Sequence, residues 1–339
     1  MKTSSDRRPL VVVLGMHRSG TSAVTQGLEA LGVSLGTELL PANFDNPKGF
    51  FEDLRVFDLN ERVLGVFGLS WSDLPLITSE QWQSPHLQAL RLEARELLQT
   101  RLAQYPLWGF KDPRTVRVLP FWNACFEELQ LAPRYLVSIR NPLSVVKSLA
   151  RRDGMSPEWA HLLWLVHMVP YLTLIREHPH VVVDFDRLLS APPHELGRIA
   201  RALDLTPDME AVERYAAEFL SSGLRNSTFQ LDDLAADPHL DGLSLQGARL
   251  LDALSRDEGA DAFWPEWQSL AGSLQGLAPL LRFFGNREND GLGHERNALL
   301  ARQADLTRQI DYLRGELAAR ESLIEALYAR LEQAGQPAR

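Results

Sequence analysis

A single cysteine, Cys125, stands in 339 residues, which excludes a disulfide framework and any metal site built from several thiolates. Long apolar runs are missing as well: no stretch approaches the roughly 20 residues needed to cross a bilayer. The amino-terminal segment MKTSSDRRPLVVVLG has a basic start, but its five-residue apolar run is too short for a secretory leader. Positive charge is in deficit, with 35 Lys and Arg against 44 Asp and Glu. A net charge of −9 does not suit a nucleic-acid binder, which needs a basic face. These absences point to a cytoplasmic protein that binds no nucleic acid. What is present is ordinary for a globular chain: 45% hydrophobic and 23% charged residues, enough to build a core without a staple.

The order of elements indicates an α/β fold. Leu10–Leu14 is short, β-branched and continuously apolar, as a strand covered on both faces must be. A glycine-rich turn, Gly15–Gly20, follows it, and Thr21–Leu31 reads as a helix stopped by Gly32. Further strands are expected at Leu107–Phe110, Tyr135–Ile139 and His180–Phe185. Helices are expected at Ser84–Ala103, Pro142–Arg151, Pro157–Glu177, Pro193–Leu203 and Met209–Leu220. Alternation of this kind predicts a three-layer parallel sheet with a P-loop-like strand–loop–helix, ligands binding at the carboxyl ends of the strands. Residues 188–285 read as mostly helical, with 223–290 irregular around Trp264, Pro265 and Trp267.

The last stretch is different in kind. From Arg296 to Leu331 there is no proline and one glycine, Gly315. Leu299, Leu306, Leu313 and Leu327 fall on one heptad position, which Arg320 interrupts, and Ile310, Leu317, Ile324 and Leu331 fall on the other. The pattern predicts a long C-terminal coiled-coil helix over 291–339, following an α/β domain over 1–290, and hence a homo-oligomer or a partner protein. A long helix packed on its own domain is the alternative.

Two segments carry chemistry. In Gly15-Met16-His17-Arg18-Ser19-Gly20-Thr21-Ser22, backbone N–H groups and a helix N-terminus converge on one point, an arrangement that suits phosphate. The spacing is close to the nucleotide P-loop, but Thr21 replaces the lysine that triphosphatases need. The cation is Arg18 instead. The second segment is Arg140-Asn141-Pro142, at a strand end, with Ser148 two helical turns beyond Arg140. An arginine and a hydroxyl there suit a second phosphate.

Together these segments resemble the donor-binding motifs of PAPS-dependent sulfotransferases of the bacterial or carbohydrate type (PAPS is 3′-phosphoadenosine 5′-phosphosulfate). GMHRSGTS resembles the family's 5′-phosphosulfate loop, and IRNPLSVVKS its 3′-phosphate motif with the arginine-to-serine spacing of eight retained. VVVDFDRLLSAP resembles the strand-and-helix start found late in these domains. The resemblance spans about residues 9–205. It implies sulfuryl transfer from PAPS to a hydroxyl or amine of an acceptor, a carbohydrate or glycan above all, with PAP as product and no metal required. It assigns the donor to His17, Arg18, Ser19, Gly20, Thr21, Ser22, Arg140 and Ser148, and with less support to Arg225.

The catalytic base is open at this stage. Where cytosolic sulfotransferases carry a histidine, this chain reads Phe110-Lys111-Asp112-Pro113-Arg114. Glu52, closing the polar loop 43–52, is the first choice, against a carboxylate that merely caps the following helix; Asp112 and His17 are the other candidates. Lys111 is placed with Arg18 in catalysis, against a buried salt-bridge cluster with Asp112 and Arg114. His17 reads as an exposed loop histidine. Trp108, Trp122 and Trp164 read as core, and Trp71 as the exception that could face an acceptor. Two other readings stay open: a kinase-like phosphotransferase using ATP, and an inactive donor-binding module that recruits a partner through its coiled coil.

Overall fold

A computed structural model describes residues 7–41, 49–220 and 229–285, and Arg320. The chain divides into two compact units, Met1–Arg282 and Phe283–Arg339. The coiled coil expected over 291–339 lies outside the described residues, apart from Arg320, and so does Arg225.

Four strands form one parallel sheet. They are β1 (Arg8–Leu14), β2 (Gly109–Lys111), β3 (Leu131–Ile139) and β4 (His180–Asp184), in the order β2-β1-β3-β4. Two of the expected boundaries shift for identifiable reasons. Before β2, Leu107 and Trp108 are engaged laterally with Ser34: Ser34 N donates to Leu107 O at 2.9 Å, and Gly109 N donates to Ser34 O at 3.0 Å. β3 begins four residues before Tyr135, through Pro133. That proline is tolerated because β4 pairs with β3 only from Tyr135 onward, so one side of the earlier stretch needs no ladder donor.

Twelve α-helices begin and end within the described residues of the first unit. In chain order they are α1 (Thr21–Glu29), α2 (Leu54–Val66), α3 (Gln88–Gln104), α4 (Leu119–Glu128), α5 (Pro142–Asp153) and α6 (Pro157–Met168). There follow α7 (Phe185–Ser190), α8 (Pro192–Ala202), α9 (Met209–Arg214), α10 (Leu231–Ala235), α11 (Gly242–Ser255) and α12 (Ala260–Gly276). The sheet alternation sorts them into two outer layers. Leu10, Val12, Leu14, Tyr135 and Val137 face a core shared with α2 to α6, α11 and α12. Val11, Val13, Leu136, Val181 and Val183 face the other, shared with α1, α8 and α9.

Over the described residues 229–285 the expectation of irregular structure is overturned. α11 lies beside β4 and α6, and α12 packs against α11. Leu251, Phe263, Trp267, Leu270 and Leu274 join the larger core. Pro265 inside α12 disguised this helix: it removes one N–H donor, yet Phe263 and Trp267 stack at 5.2 Å and anchor the helix by burial. The expected helix Pro157–Glu177 ends at Met168 because Pro170 cannot continue it; a 3₁₀ turn, Leu172–Ile175, follows. Met209–Leu220 divides into α9 and a π-helical turn, Tyr215–Phe219.

The topology fixes where a ligand can bind. From β1 the chain runs to β2 on one side, and from β3 it runs to β4 on the other. The two connections diverge between β1 and β3, which is the topological switch point of the sheet. Residues 15–20 and 140–141 stand there.

Candidate active site at the strand ends

The loop after β1 is shaped by close approach. Gly15 has φ +149°, and a Cβ on it would lie 2.5 Å from the Ser138 carbonyl oxygen. Gly20 has φ +81°, and a Cβ there would lie 2.2 Å from the Phe185 ring. Ser138 Oγ donates to Ser19 O at 2.9 Å, which ties the loop to β3. Arg18 adopts φ +69°, a left-handed conformation that costs a side-chain-bearing residue about 1–3 kcal/mol and is found at ligand clamps. α1 starts with no side-chain cap and no acidic residue in its first turn. Its positive end is therefore not neutralised by the helix itself.

The two motifs meet. Arg18 Nε donates to Ser148 Oγ at 2.8 Å, across 130 positions of sequence. Ser148 sits on α5, two turns past Arg140. Arg140 is 8% exposed, its guanidinium 4.9 Å above the Phe185 ring and its Nε 3.8 Å from Asp186 Oδ2. Asn141 caps α5 by accepting from Leu143 N at 3.0 Å, and its Nδ2 donates to the carbonyls of Phe229 and Gln230. Arg140 also lines a cavity of about 670 Å³, bounded by the ends of β3 and β4 and by α10 and α11. No residue of the 15–22 loop lines that cavity.

Lys111, the last residue of β2, carries the third side of the site. Its Nζ lies 2.7 Å from Glu52 Oε1 and donates to Ser22 Oγ at 3.3 Å. Ser22 Oγ in turn donates to Phe50 O at 3.2 Å. Glu52 is 4% exposed. Burial raises its pKa above the usual glutamate value, as does Asp112, while Lys111 and Arg114 oppose the rise. The helix cap is a different carboxylate. Asp53 Oδ1 accepts from Arg55 N and Val56 N, and Asp53 Oδ2 accepts from Arg101 Nε at 2.8 Å. Glu52 thus does not cap α2. Beside it, Asp112 Oδ1 accepts from Arg114 N and Nη1, and Arg114 Nε pairs with Glu61. Lys111, Asp112 and Arg114 are therefore a buried, ion-paired cluster in contact with Glu52.

His17 is not the exposed loop histidine that the sequence suggested. It is half-buried, its ring 4.4 Å from Trp71 and 6.3 Å from His167. Burial, then the positive charge of Arg114, holds it neutral, with a pKa well below the ordinary histidine value. Trp71 is half-buried, with the Arg152 guanidinium 5.1 Å from its ring. Trp108, Trp122 and Trp164 are core, as expected.

Several neighbours had no signal in the sequence. Phe185, the ring under Arg140 and against Gly20, lies within a segment singled out as a strand and helix start. Arg117, in the turn before α4, and Arg152 and His167, on α5 and α6, had no such mark; residues with no motif reach the site only through packing. Among the described residues there is no group of three His, Cys, Asp or Glu placed to hold a metal ion. Among the same residues no helix is long and apolar enough to cross a membrane.

No protein-family model matches the chain, and no curated protein matches it. Several solved structures are similar, two sulfotransferases among them. One is the sulfotransferase domain of the olefin synthase of Synechococcus PCC 7002, at 17% identity and a TM-score of 0.41, covering 73% of this chain and 95% of that domain. The other is a sulfotransferase of Mycobacterium tuberculosis, at 13% identity and a TM-score of 0.36, covering 74% of this chain and 77% of the other. At these values no residue-by-residue correspondence follows.

Proposed function

We propose that this chain transfers a sulfuryl group from PAPS to a hydroxyl of a carbohydrate-like acceptor. The observation that carries the reading is the hydrogen bond from Arg18 Nε to Ser148 Oγ, which joins the loop after β1 to the motif after β3 in one anion-binding edge. PAPS has two separate anionic groups, and the edge has two matching sets of donors. Arg18, Ser19, Thr21, Ser22 and the N-terminus of α1 suit the 5′-phosphosulfate. Arg140 and Ser148 suit the 3′-phosphate.

When bound, the donor supplies a sulfur–oxygen bond that breaks to leave PAP. The chain's residues divide the remaining work. Glu52 accepts the proton of the acceptor hydroxyl as its oxygen bonds to sulfur. The electron pair of the broken bond stays on the departing 5′-phosphate, where Arg18 and the α1 N–H groups stabilise it. Lys111, between Glu52 and Ser22, ties the base to the loop. A carboxylate whose affinity for protons is raised by burial is a stronger base than an exposed one.

The test is transfer of ³⁵S from labelled PAPS to a panel of saccharides. Glu52→Gln is expected to lower the rate about 10²–10⁴-fold with PAP affinity within twofold of wild type. The wild-type rate should fall on the acid side with an inflection above 4.5, because Glu52 must be deprotonated to act. An unchanged rate in Glu52→Gln removes Glu52 as the base.

A further inference from the structure

The stretch Ser70–Pro75 is neither helix nor strand, yet it is pinned from several sides. Arg117, 2% exposed, donates from Nη1 to the carbonyls of Ser70 (3.3 Å), Trp71 (3.4 Å) and Asp73 (2.5 Å), and from Nη2 to that of Pro75 (2.8 Å). From the outside, Trp159 Nε1 donates to Ser72 O at 3.1 Å. Within the stretch, Asp73 Oδ2 accepts from Ser70 N and Ser70 Oγ. Burying a guanidinium is costly, and here it is stabilised by main-chain oxygens of one short segment. Trp71 is the large ring that this segment presents. It packs at the edge of the larger core and against the phosphate loop at His17, 4.4 Å away, and unlike Trp108, Trp122 and Trp164 it is only half-buried.

The surroundings of Trp71 are polar in a particular way. His17 is neutral, and its Nε2 has no hydrogen-bond partner among the described residues. His167 Nδ1 donates to Leu163 O at 2.7 Å, so its Nε2 carries the lone pair, and that atom also lacks a partner among the described residues. The Arg152 guanidinium lies over the Trp71 ring and is ion-paired with Asp153, Nη2 to Oδ2 at 2.8 Å. An apolar ring edge, neutral imidazole acceptors and guanidinium donors in one place match a pyranose, which has an apolar C–H face and hydroxyls that both donate and accept. An aryl alcohol would use the ring, but its single hydroxyl could pair at most one of the two imidazole acceptors.

Resting on the transfer reading above, we propose that Trp71 is the wall against which a saccharide acceptor ring lies, and that Arg117 is the positioning residue that holds it there. His17 accepts a hydroxyl of the ring, and Arg152, held by Asp153, offers its remaining N–H groups to the saccharide oxygens. The arrangement sets the acceptor beside Arg18, the next residue in the loop.

The experiment labels the eight tryptophans with 5-fluorotryptophan and identifies the Trp71 line by its loss in Trp71→Phe. Methyl glycosides of glucose, galactose, mannose, N-acetylglucosamine and glucuronic acid, and 4-nitrophenol, are then titrated with and without saturating PAP. At least one glycoside is expected to move the Trp71 line. Arg117→Lys should raise that dissociation constant at least tenfold with PAP binding unchanged. Trp71→Ala should abolish saturation transfer to the glycoside; because Trp71 packs on the edge of the larger core, unchanged PAP binding checks that this variant is folded. The proposal is overturned if no glycoside moves the line, if 4-nitrophenol alone does, or if both variants bind glycoside as wild type does. PAP titrated against the same samples reports the donor site separately, so absence of PAP binding with glycoside binding intact would remove the transfer reading and leave the Trp71 wall standing as a saccharide site.

Discussion

Lys111→Met isolates what the Glu52–Lys111 contact contributes. The two side chains are 1% and 5% exposed, and their charged atoms lie 2.7 Å apart. With an effective dielectric constant of about 20, their attraction is about 6 kcal/mol. Desolvation of both groups offsets most of this, so the intact pair adds little net stability. Breaking it is different, because one buried charge is left alone. Lys111→Met at pH 8 is therefore expected to destabilise by about 3–5 kcal/mol. Glu52→Gln falls toward the lower end of that range, since the amide oxygen still accepts from Lys111. The double variant, with neither charge, should lose less than the sum of the two by several kcal/mol. The pH dependence has a definite sign. Burial raises the Glu52 pKa and Lys111 opposes the rise, so without Lys111 the carboxyl takes up a proton at a higher pH. Once protonated it needs no cation, and the loss in Lys111→Met shrinks between pH 8 and pH 5. Urea denaturation followed by circular dichroism measures all three variants. Additivity within about 0.5 kcal/mol, or an equal loss at both pH values, would refute the reasoning.

Two further substitutions probe the shape and charge of the site. Asp184 has its pKa raised from 3.8 to about 6, mainly by burial, then by Asp186 and Asp252. A raised carboxyl favours its protonated form in the fold, so stability from this group is full below 3.8 and lost by pH 6; Asp184→Asn, which can still cap α7, should stabilise by at most about 3 kcal/mol at pH 7.5 and by nothing at pH 3.5 in thermal melts. Gly20→Ala combines a left-handed backbone with a Cβ 2.2 Å from Phe185 and should cost about 2–5 kcal/mol, whereas Gly154→Ala, with φ +66° and nothing within 4 Å, should cost about 1 kcal/mol; equal losses would discount the Phe185 contact.

Much of this was legible in the chain. The continuously apolar LVVVL, the glycines after it and the Pro142 helix start follow from local chemistry, and they placed β1, α1 and α5 within a few residues. The sequence put Ser148 with Arg140 and did not foresee its bond to Arg18, which depends on β3 lying next to β1. Less visible were features set by packing. Asp53 and Glu52 are adjacent acids, and only the geometry distinguishes the helix cap from the partner of Lys111. α12 was obscured by Pro265 and is held by Phe263 and Trp267 in the core. His17 reads as a polar loop residue until Trp71 and His167 are brought against it by Arg117 and α6, which no periodicity encodes.

The central claim is that two anion sites on one edge hold a nucleotide bearing a 3′-phosphate. Calorimetric titration with PAP, with ADP and with ATP plus magnesium tests it most directly. PAP is expected to bind at least tenfold tighter than ADP, a difference of about 1.4 kcal/mol, and Arg140→Ala should erase most of that preference. Equal binding of PAP and ADP, or preference for ATP with magnesium, would contradict the account.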